Sequence, residues 1–293
     1  MEGFALISGA FLLNSIFGYF SMGFALYLSF FSWDFIGPMK FVGLYNYFKA
    51  FREIWRGLTG APPFFAPFFV GMRNILLYTA VVVPVQTFLA IILAVLANQR
   101  IKGATFYKVS YFLPSVTCSV IVSLIFVWLF QKNGFINYMI SRVTPGFAPN
   151  WLMDDRYALW AIMLVAIWGT SGNLMVSFLA ALQAIPNELY EAAIIDGAGR
   201  VRRFVSITLP MLRPMIAYAV VLGTIGCLQM FDLSFVMTGG GPAYATYTMA
   251  LDIYNTAFIN LDPGLASAKA WILFALTFVA TYLVQRKYSR LAV

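Results

Sequence analysis

Long runs of apolar residues, separated by short polar segments, are the main pattern along this chain. A membrane-spanning helix needs about 20 mostly apolar residues. Six stretches meet that requirement: roughly 4–31, 74–97, 109–130, 157–182, 215–237 and 266–284. The runs are uninterrupted, whereas the strands of a membrane barrel would alternate apolar and polar residues with a period of two. The pattern predicts an all-α, polytopic membrane helix bundle with about six transmembrane helices, and, without a clear internal repeat, a single domain over 1–293.

The segment 32–73 does not fit a lipid-spanning helix, because charged residues and prolines interrupt it. Its apolar residues recur at helical spacing, and its basic residues fall on another face: Leu44, Phe48, Phe51 and Trp55 against Lys49, Arg52 and Arg56. This pattern is typical of an amphipathic helix at an interface. Such a helix either covers the mouth of the bundle or has a specific binding role.

Composition supports a membrane protein. Hydrophobic residues make up 61% of the chain and charged residues 10%, whereas a soluble domain averages about half apolar and about a quarter charged. The net charge of +8 lies in short clusters between the apolar runs, which favours lipid headgroups over nucleic acid as the partner. Lysine and arginine are divided almost equally between the two sides of the bundle. The short basic segments 98–108 and the C-terminal tail favour both termini in the cytoplasm.

The residues that several kinds of functional site require are absent from this chain. The chain has no histidine and two cysteines, Cys118 and Cys227, both in apolar runs, so we expect neither a metal site nor a disulfide framework. The glycine run TGGGP at 238–242 lacks the Gly-Lys-Ser/Thr ending of a phosphate loop and is expected to form a turn. Asp232 is an isolated intramembrane acid, so an aspartate enzyme would need an intermolecular pair. We therefore do not expect this chain to be an enzyme.

A polar segment at 186–214 separates two apolar runs. Asn187 is placed to cap a short helix, and Gly197 is placed to end it, since glycine accepts left-handed backbone. A second short helix near 200–208 would be broken by Pro210 and Pro214. It would place one group of residues on a face opposite Arg200 and Arg203: Val201, Phe204, Val205 and Thr208. Such an elbow would dock into a protein cleft or lie on the membrane surface, and patterning alone leaves both open.

Polar residues inside the apolar runs mark a candidate solute path, since such residues usually face a cavity or the bundle interior. Ser115, Ser119 and Ser123 recur every four residues as one hydroxyl stripe. Further candidates lie in the fourth and fifth runs: Trp168, Thr170, Asn173, Gln229 and Asp232. Hydroxyls, amides, one carboxylate and an aromatic ring suit a polyhydroxylated solute. The competing interpretations are close helix packing for the serines, interhelical hydrogen bonds for Asn173 and Gln229, and a structural contact for Asp232.

The central segment also carries a specific motif. Glu191-Ala192-Ala193, three residues, Gly197, nine residues, then Ile207-Thr208-Leu209-Pro210 resembles the EAA motif of ABC-importer permease subunits. Other stretches resemble the carbohydrate-uptake branch of that family, including its maltose-type and glycerol-phosphate-type permeases: KFVGLYNY (40–47), FLPSVTCSVIVSLIFVWLF (112–130), ALQAIPNELYEAAIIDGAG (181–199) and FDLSFVMTGGGPAYAT (231–246). The resemblance covers nearly the whole chain.

The resemblance implies a role for each residue of the motif. The segment would be a cytoplasmic coupling helix that docks on an ATP-hydrolysing subunit. Glu191 would pair with a basic residue of that subunit, Gly197 would set the angle between the two helices, and Arg200, Arg202 and Arg203 would add contacts at the rim. The implied coupling set is Glu191, Ala192, Ala193, Asp196, Gly197, Arg200, Arg203 and Pro210. Trp168 and Asn173 lie where maltose-type permeases carry solute-site residues.

The resulting hypothesis is a permease subunit that imports a sugar or oligosaccharide across a bacterial or archaeal cytoplasmic membrane. The resemblance implies a second, related permease as the partner of a heterodimer, two ATPase subunits that bind ATP and magnesium, and an extracytoplasmic solute-binding protein. No cofactor is expected on this chain. The alternative is a stand-alone secondary transporter, which predicts inverted repeats and helices broken at mid-membrane. Neither feature is evident in the sequence.

Overall fold

The computed structural model describes residues 2–99 and 103–289, and nearly all of their regular structure is helical. The helices are α1 (Glu2–Asn14), α2 (Ser21–Leu28), α3 (Tyr45–Leu58), α4 (Pro67–Ala97), α5 (Ala104–Val116), α6 (Ser119–Leu129), α7 (Phe135–Val143), α8 (Ala158–Gln183), α9 (Asn187–Ile195), α10 (Arg200–Arg203), α11 (Leu209–Met211), α12 (Arg213–Leu228), α13 (Asp232–Thr238), α14 (Met249–Tyr254) and α15 (Pro263–Ser289). π-Helical turns at Ser15–Phe20, Phe204–Thr208 and Asn255–Ile259 and a 3₁₀ turn at Pro63–Phe65 complete them. Strands β1 (Phe31–Ser32) and β2 (Lys40–Phe41) form a short antiparallel pair. The predicted all-α membrane bundle is confirmed.

Four helical segments in the described part of the chain are long and apolar enough to cross a membrane: Ser8–Leu28, Pro67–Ala97, Ala158–Gln183 and Pro263–Lys287. Two further pairs of helices qualify only when each pair is taken together. Thr105–Val116 and Ser119–Leu129 are bent by 101°, and Arg200–Met211 and Arg213–Leu228 are bent by 63°. Six spans result when each bent pair is counted as one.

The break between α5 and α6 corrects the continuous span predicted over 109–130. Thr117 and Cys118 have extended backbone, with ψ of 138° and 131°. Pro114, three residues earlier, has no N–H for the helical ladder, so the last turn of α5 is weakened where the chain departs. A proline in a membrane helix is often accommodated without a break, which is why the sequence pattern did not reveal this one.

The predicted span over 215–237 is also divided. Helix α12 ends at Leu228, and α13 starts afresh at Asp232, whose carboxylate lies in the first turn, where the helix dipole favours an acid. Gln229 and Asp232 therefore lie on either side of a helix break, whereas the predicted span over 215–237 placed both on one continuous helix.

The described residues group into two compact units, one formed by residues up to Met72 with Thr248–Leu276 and the other by Arg73–Tyr247 with the residues from Thr277 onwards. In the first unit, α3 is anchored by Asn46, whose side-chain amide donates to the carbonyl oxygens of Ser29 at 2.9 Å and Phe31 at 2.8 Å. Three aromatic side chains of α3, those of Phe48, Phe51 and Trp55, are exposed. The amphipathic helix expected from the sequence is present, and its inward face is made of small and polar residues.

A buried ionic cluster also lies in the first unit. Lys269 Nζ is 2.6 Å from Asp252 Oδ2 and 3.1 Å from Glu53 Oε2, and only 4% of the lysine side chain is exposed. The ammonium group also lies 5.2 Å from the centre of the Phe68 ring. Buried charges persist only when they are paired and hydrogen-bonded, so this cluster ties α3, α14 and α15 together.

The second unit has an apolar core where α4, α8 and the start of α12 meet. Its buried members are Ala90, Ile91, Leu93, Ala94, Ala97, Met175, Phe178, Leu182, Ile185, Leu212 and Ala219. Helices α5 and α8 cross at Gly172, where an added Cβ would collide with the Tyr111 carbonyl oxygen. Small residues allow such close crossings of membrane helices.

Candidate solute cavity and coupling segment

A cavity of about 540 Å³ opens within the second unit, between α4, α5, α8, α12 and the two helix breaks. Pockets for small ligands typically measure about 300–1,000 Å³. Six of the solute-path candidates line this cavity: Ser115, Ser119, Thr170, Asn173, Gln229 and Asp232. The sequence pattern named these residues, and the structure brings them together. Their contact with a solute stays a prediction.

The helix breaks place four of these side chains at the cavity. Ser115 lies in the last turn of α5, and Ser119 is the first residue of α6, so the two do not form one helical stripe as expected. Ser123, the third residue of that stripe, is fully buried, and its hydroxyl donates to the Ser119 carbonyl oxygen at 2.7 Å. Gln229 and Asp232 flank the second break.

A direct hydrogen bond joins the two broken segments. The Ser119 hydroxyl donates to Asp232 Oδ2 at 2.8 Å. A hydrogen bond to a carboxylate is charge-assisted and stronger than one between neutral groups. The bond therefore holds the start of α6 beside the start of α13.

Gln86 is a cavity residue that sequence reasoning missed. It lies in the middle of α4, is 2% exposed, and has its Oε1 2.6 Å from Thr170 Oγ1. The Thr170 hydroxyl is also 2.7 Å from the Ala166 carbonyl oxygen, so it can donate to either acceptor. Gly223 leaves the space that the Gln86 amide occupies, since a Cβ there would lie 2.6 Å from Nε2. An amide inside an otherwise apolar run was the available signal, because polar residues in spans are costly.

Trp168, another solute-path candidate, does not line the cavity. Its ring contacts Phe126 with 5.3 Å between ring centres, and its side chain remains 44% exposed. The aromatic residues at the cavity are instead Tyr78 and Phe231. Helix α8 is apolar around most of its circumference, so the sequence could not show which side of it faces the cavity.

The polar segment at 186–214, the candidate coupling segment, begins with a helix and a sharp glycine turn, as the sequence predicted. Helix α9 covers Asn187–Ile195, and Gly197 has a φ of 74°, which is left-handed backbone. The Ala198 amide donates to the Ala193 carbonyl oxygen at 2.8 Å, a bond typical of a glycine-terminated helix. The expected capping role of Asn187 is wrong: it is the first helical residue, and Pro186 occupies the capping position without a side-chain hydrogen bond.

The segment has two helical arms, α9 and the stretch that starts at Arg200. The second arm is longer than predicted. Helical backbone runs from Arg200 through the π turn Phe204–Thr208 to Met211, so Pro210 does not end it. The π turn shifts the hydrogen-bond ladder just before the residue that has no N–H to donate. The buried face of this helical stretch also differs from the expected one. Phe204 and Ile207 pack on the apolar core, while Val201 and Val205 are exposed. The expected common face of Val201, Phe204, Val205 and Thr208 is therefore wrong.

A hydroxyl pair links the two arms of the segment. Tyr190 Oη and Thr208 Oγ1 are 2.9 Å apart, and the Tyr190 ring packs on the apolar core. The outer side of the segment exposes Glu191, Ala192 and Asp196, together with two apolar side chains, Ile195 at 87% and Val201 at 78%. The segment is thus fixed on its inner side and offers a mixed apolar and charged surface on its outer side.

The glycine run at 238–242 forms the turn expected of it. Gly239 ends α13 with a φ of 61°, and Gly240 follows with a φ of 89°. Both values lie in the left-handed region, which glycine adopts without steric cost. The run therefore closes α13.

Comparison with known proteins places these features in a family. Residues 86–292 match the family model described as "Binding-protein-dependent transport system inner membrane component". The chain is 36% identical to the sulfoquinovosyl glycerol transport system permease protein SmoG of Agrobacterium fabrum, over 94% of this chain and 86% of that protein. It is 35% identical to the trehalose/maltose transport system permease protein MalF of Thermococcus litoralis, over 87% of this chain and 83% of that protein.

A solved structure has the same fold. A chain of a bacterial ABC transporter involved in the import of the acidic polysaccharide alginate aligns with a TM-score of 0.82 and 22% identity, covering 99% of this chain and 95% of that one. At this identity the likeness concerns the fold. The family match extends over well more than half of the chain, and the EAA motif lies inside the matched residues. This chain therefore belongs to the family of inner-membrane components of binding-protein-dependent transport systems.

Proposed function

We propose that this chain is a permease subunit of an ABC importer that moves a neutral sugar or oligosaccharide into the cytoplasm, driven by ATP hydrolysis on partner subunits. The observation that carries the proposal is the 540 Å³ cavity, with hydroxyl and amide side chains converging on it from α4, α5, α6 and α8. Sugar hydroxyls need both donors and acceptors, and this wall offers both.

Charge narrows the class of solute. Asp232 is the one formally charged side chain among the described residues that line the cavity. A carboxylate without a nearby cation repels sugar acids and sugar phosphates, and it accepts hydrogen bonds from neutral hydroxyls. The permeases at 36% and 35% identity are named for sulfoquinovosyl glycerol and for trehalose and maltose, so the family spans acidic and neutral solutes. The lining of this cavity favours the neutral group.

The coupling segment supports dependence on a partner ATPase. Glu191 is exposed on the outer side of α9, beside the exposed apolar side chains of Ile194 and Ile195. Exposed apolar groups rimmed by charges are typical of a protein-binding surface. In the proposed mechanism, closure of the ATPase pair moves the segment as a rigid lever, and the bundle then switches the side on which the cavity opens.

The assembly and orientation complete the proposal. We place residues 183–214 and both termini in the cytoplasm, and propose a second, related permease, two ATPase subunits and an extracytoplasmic solute-binding protein as partners. The solved alginate transporter in complex with a pentasaccharide-bound periplasmic protein supports the last partner by analogy of fold. ATP and magnesium would be bound by the ATPase subunits.

Reconstitution tests the proposal. The chain is co-purified with its partners, placed in proteoliposomes, and assayed for uptake of a panel of neutral, acidic and phosphorylated sugars with and without ATP. We expect ATP-dependent uptake of a neutral saccharide. Uptake by this chain alone, without nucleotide, would support the secondary transporter instead. The two helix breaks fit either class of transporter, so this measurement decides between them.

Asp232→Asn tests the charge argument separately. The substitution keeps a hydrogen-bonding side chain beside Ser119 and removes the negative charge. We expect discrimination against acidic sugars to fall by about tenfold, the effect of roughly 1.4 kcal/mol. Unchanged discrimination in this variant would remove Asp232 from solute selection, while ATP-dependent uptake would remain as the test of the transport function itself.

A further inference from the structure

A second cavity in the same unit combines two arginines with polar side chains at the inner side of the coupling segment. Its volume is about 290 Å³, and it lies where the C-terminal end of α4 meets α9 and α10. The polar residues that line it are Asn98, Gln99, Tyr190, Arg200, Arg203 and Thr208. No acidic side chain is among the described residues of its wall, so the cavity is positively charged.

Arg203 has an unusual environment. Its Nε atom is inaccessible to solvent and has no hydrogen-bond partner among residues 2–99 and 103–289. A guanidinium group cannot lose its charge in a protein, and a buried donor without a partner is costly. Such groups are rare in native proteins unless a water molecule or an ion satisfies them.

Arg200 gives the cavity a second unbalanced charge. Within the described part of the chain, neither Arg200 nor Arg203 takes part in an ion pair. Two guanidinium groups on one turn of helix repel each other, and an anion between them would relieve that repulsion. The cavity volume of about 290 Å³ is several times the roughly 30 Å³ that one water molecule occupies in the liquid, so the cavity has room for a phosphate group.

We propose that this cavity binds a phosphate group, supplied by the headgroup of an anionic phospholipid. Guanidinium groups match phosphate oxygens in geometry as well as charge, and the side chains of Asn98 and Gln99 add neutral donors. The membrane is the nearby source of phosphate, because α4 is a candidate span that ends at Ala97. In the orientation proposed above, that end lies at the cytoplasmic surface, where anionic headgroups attract basic side chains.

Binding would have a mechanical consequence. A phosphate held by Arg200 and Arg203 on one side and by the end of α4 on the other would bridge the second arm of the coupling segment to the bundle. The hydroxyl pair of Tyr190 and Thr208 already links the two arms at 2.9 Å. The anion would add a second link and stiffen the lever. The site itself depends on the described geometry and not on the identity of the solute.

Lipid retention by the full-length chain tests the site. The chain is purified in a neutral detergent and titrated with phosphatidylglycerol or phosphatidylcholine, and bound lipid is counted by native mass spectrometry. The variants are Arg203→Gln and Arg200→Gln, and the matched control is Arg202→Gln, an exposed arginine on the same turn that does not line the cavity. We expect each cavity variant to retain phosphatidylglycerol about tenfold to hundredfold more weakly, as loss of one charge-assisted partner implies, with the control unchanged.

The outcomes separate the sources of the phosphate. Competition by inorganic phosphate at millimolar concentration would support the same site with a free anion as its occupant, and lack of competition would support the lipid. An equal loss in Arg202→Gln would show general surface attraction and overturn the proposal. Equal retention of phosphatidylglycerol and phosphatidylcholine by the parent chain, without an effect of inorganic phosphate, would also overturn it. If Arg203→Gln fails to fold, the exposed Arg200 still gives the comparison with Arg202.

Discussion

The buried ionic cluster around Lys269 gives the sharpest prediction of stability. The change is Lys269→Met, which keeps a long unbranched side chain and removes the ammonium group. That group contacts Asp252 Oδ2 at 2.6 Å and Glu53 Oε2 at 3.1 Å, and also lies over the Phe68 ring. The variant would leave two carboxylates close together inside the protein without their shared cation.

The magnitude follows from the burial of the cluster. Removing one partner of a buried ion pair typically costs about 3–5 kcal/mol, because the remaining charge is uncompensated. The same chain provides a matched control in Lys49→Met: Lys49 Nζ is 3.2 Å from Asp262 Oδ2, but its side chain is 50% exposed. An exposed pair contributes about 0–1 kcal/mol. The difference between the two variants is therefore expected to be several kcal/mol.

The assay is unfolding by a denaturing detergent in mixed micelles, followed by tryptophan fluorescence, with the free energy of unfolding compared between variants. Combining Lys269→Met with Asp252→Asn should recover part of the loss, because it removes one of the two uncompensated charges. A loss below about 1 kcal/mol for Lys269→Met, similar to that for Lys49→Met, would refute the reasoning from burial. So would a double variant less stable than the single one.

Three further predictions concern transport and folding. Glu191→Lys should uncouple solute uptake from ATP hydrolysis in the reconstituted complex while the subunit still inserts. Normal substrate-stimulated ATP hydrolysis in this variant would contradict the prediction. Glu188→Lys in the same helix is the control. Asn173→Ala should reduce the initial rate of uptake about tenfold, as loss of roughly 1.4 kcal/mol of binding implies. Trp168→Ala should reduce it much less, because that ring lies outside the cavity, and an equal loss would place the solute path elsewhere. Gly172→Leu should strongly reduce the yield of folded protein in size-exclusion chromatography, whereas Gly169→Leu, with open space beside it, should not.

Local chemistry explains which features the sequence predicted well. The glycine turn at Gly197 depends on the residues immediately around it, and the long apolar runs are properties of composition. The breaks at Thr117 and Gln229 were missed for a physical reason. Each lies inside an apolar run, where hydropathy is the same whether the helix continues or stops, and Pro114 is compatible with both.

Long-range partners explain the rest. Lys269 and Glu53 are separated by more than 200 residues, so no local pattern pairs them. The direction of Trp168 depends on which helices surround α8, and Gln86 became a cavity residue only because Gly223 of a distant helix leaves space for it. The sequence could therefore name six residues that line the cavity, but not the contacts that hold them there.

Helices α4 and α8 contribute to both the cavity and the apolar core on which the coupling segment packs. Helix α4 contributes Gln86 to the cavity and Ala94 to the apolar core, and α8 contributes Asn173 to the cavity and Phe178 to the core. Tyr190 of the coupling segment packs on that core from the other side. Because protein interiors are close-packed and poorly compressible, a displacement of the segment would reach the cavity walls through contacts less than three helical turns long. In the proposed mechanism, this short path would carry a change at the segment to the cavity.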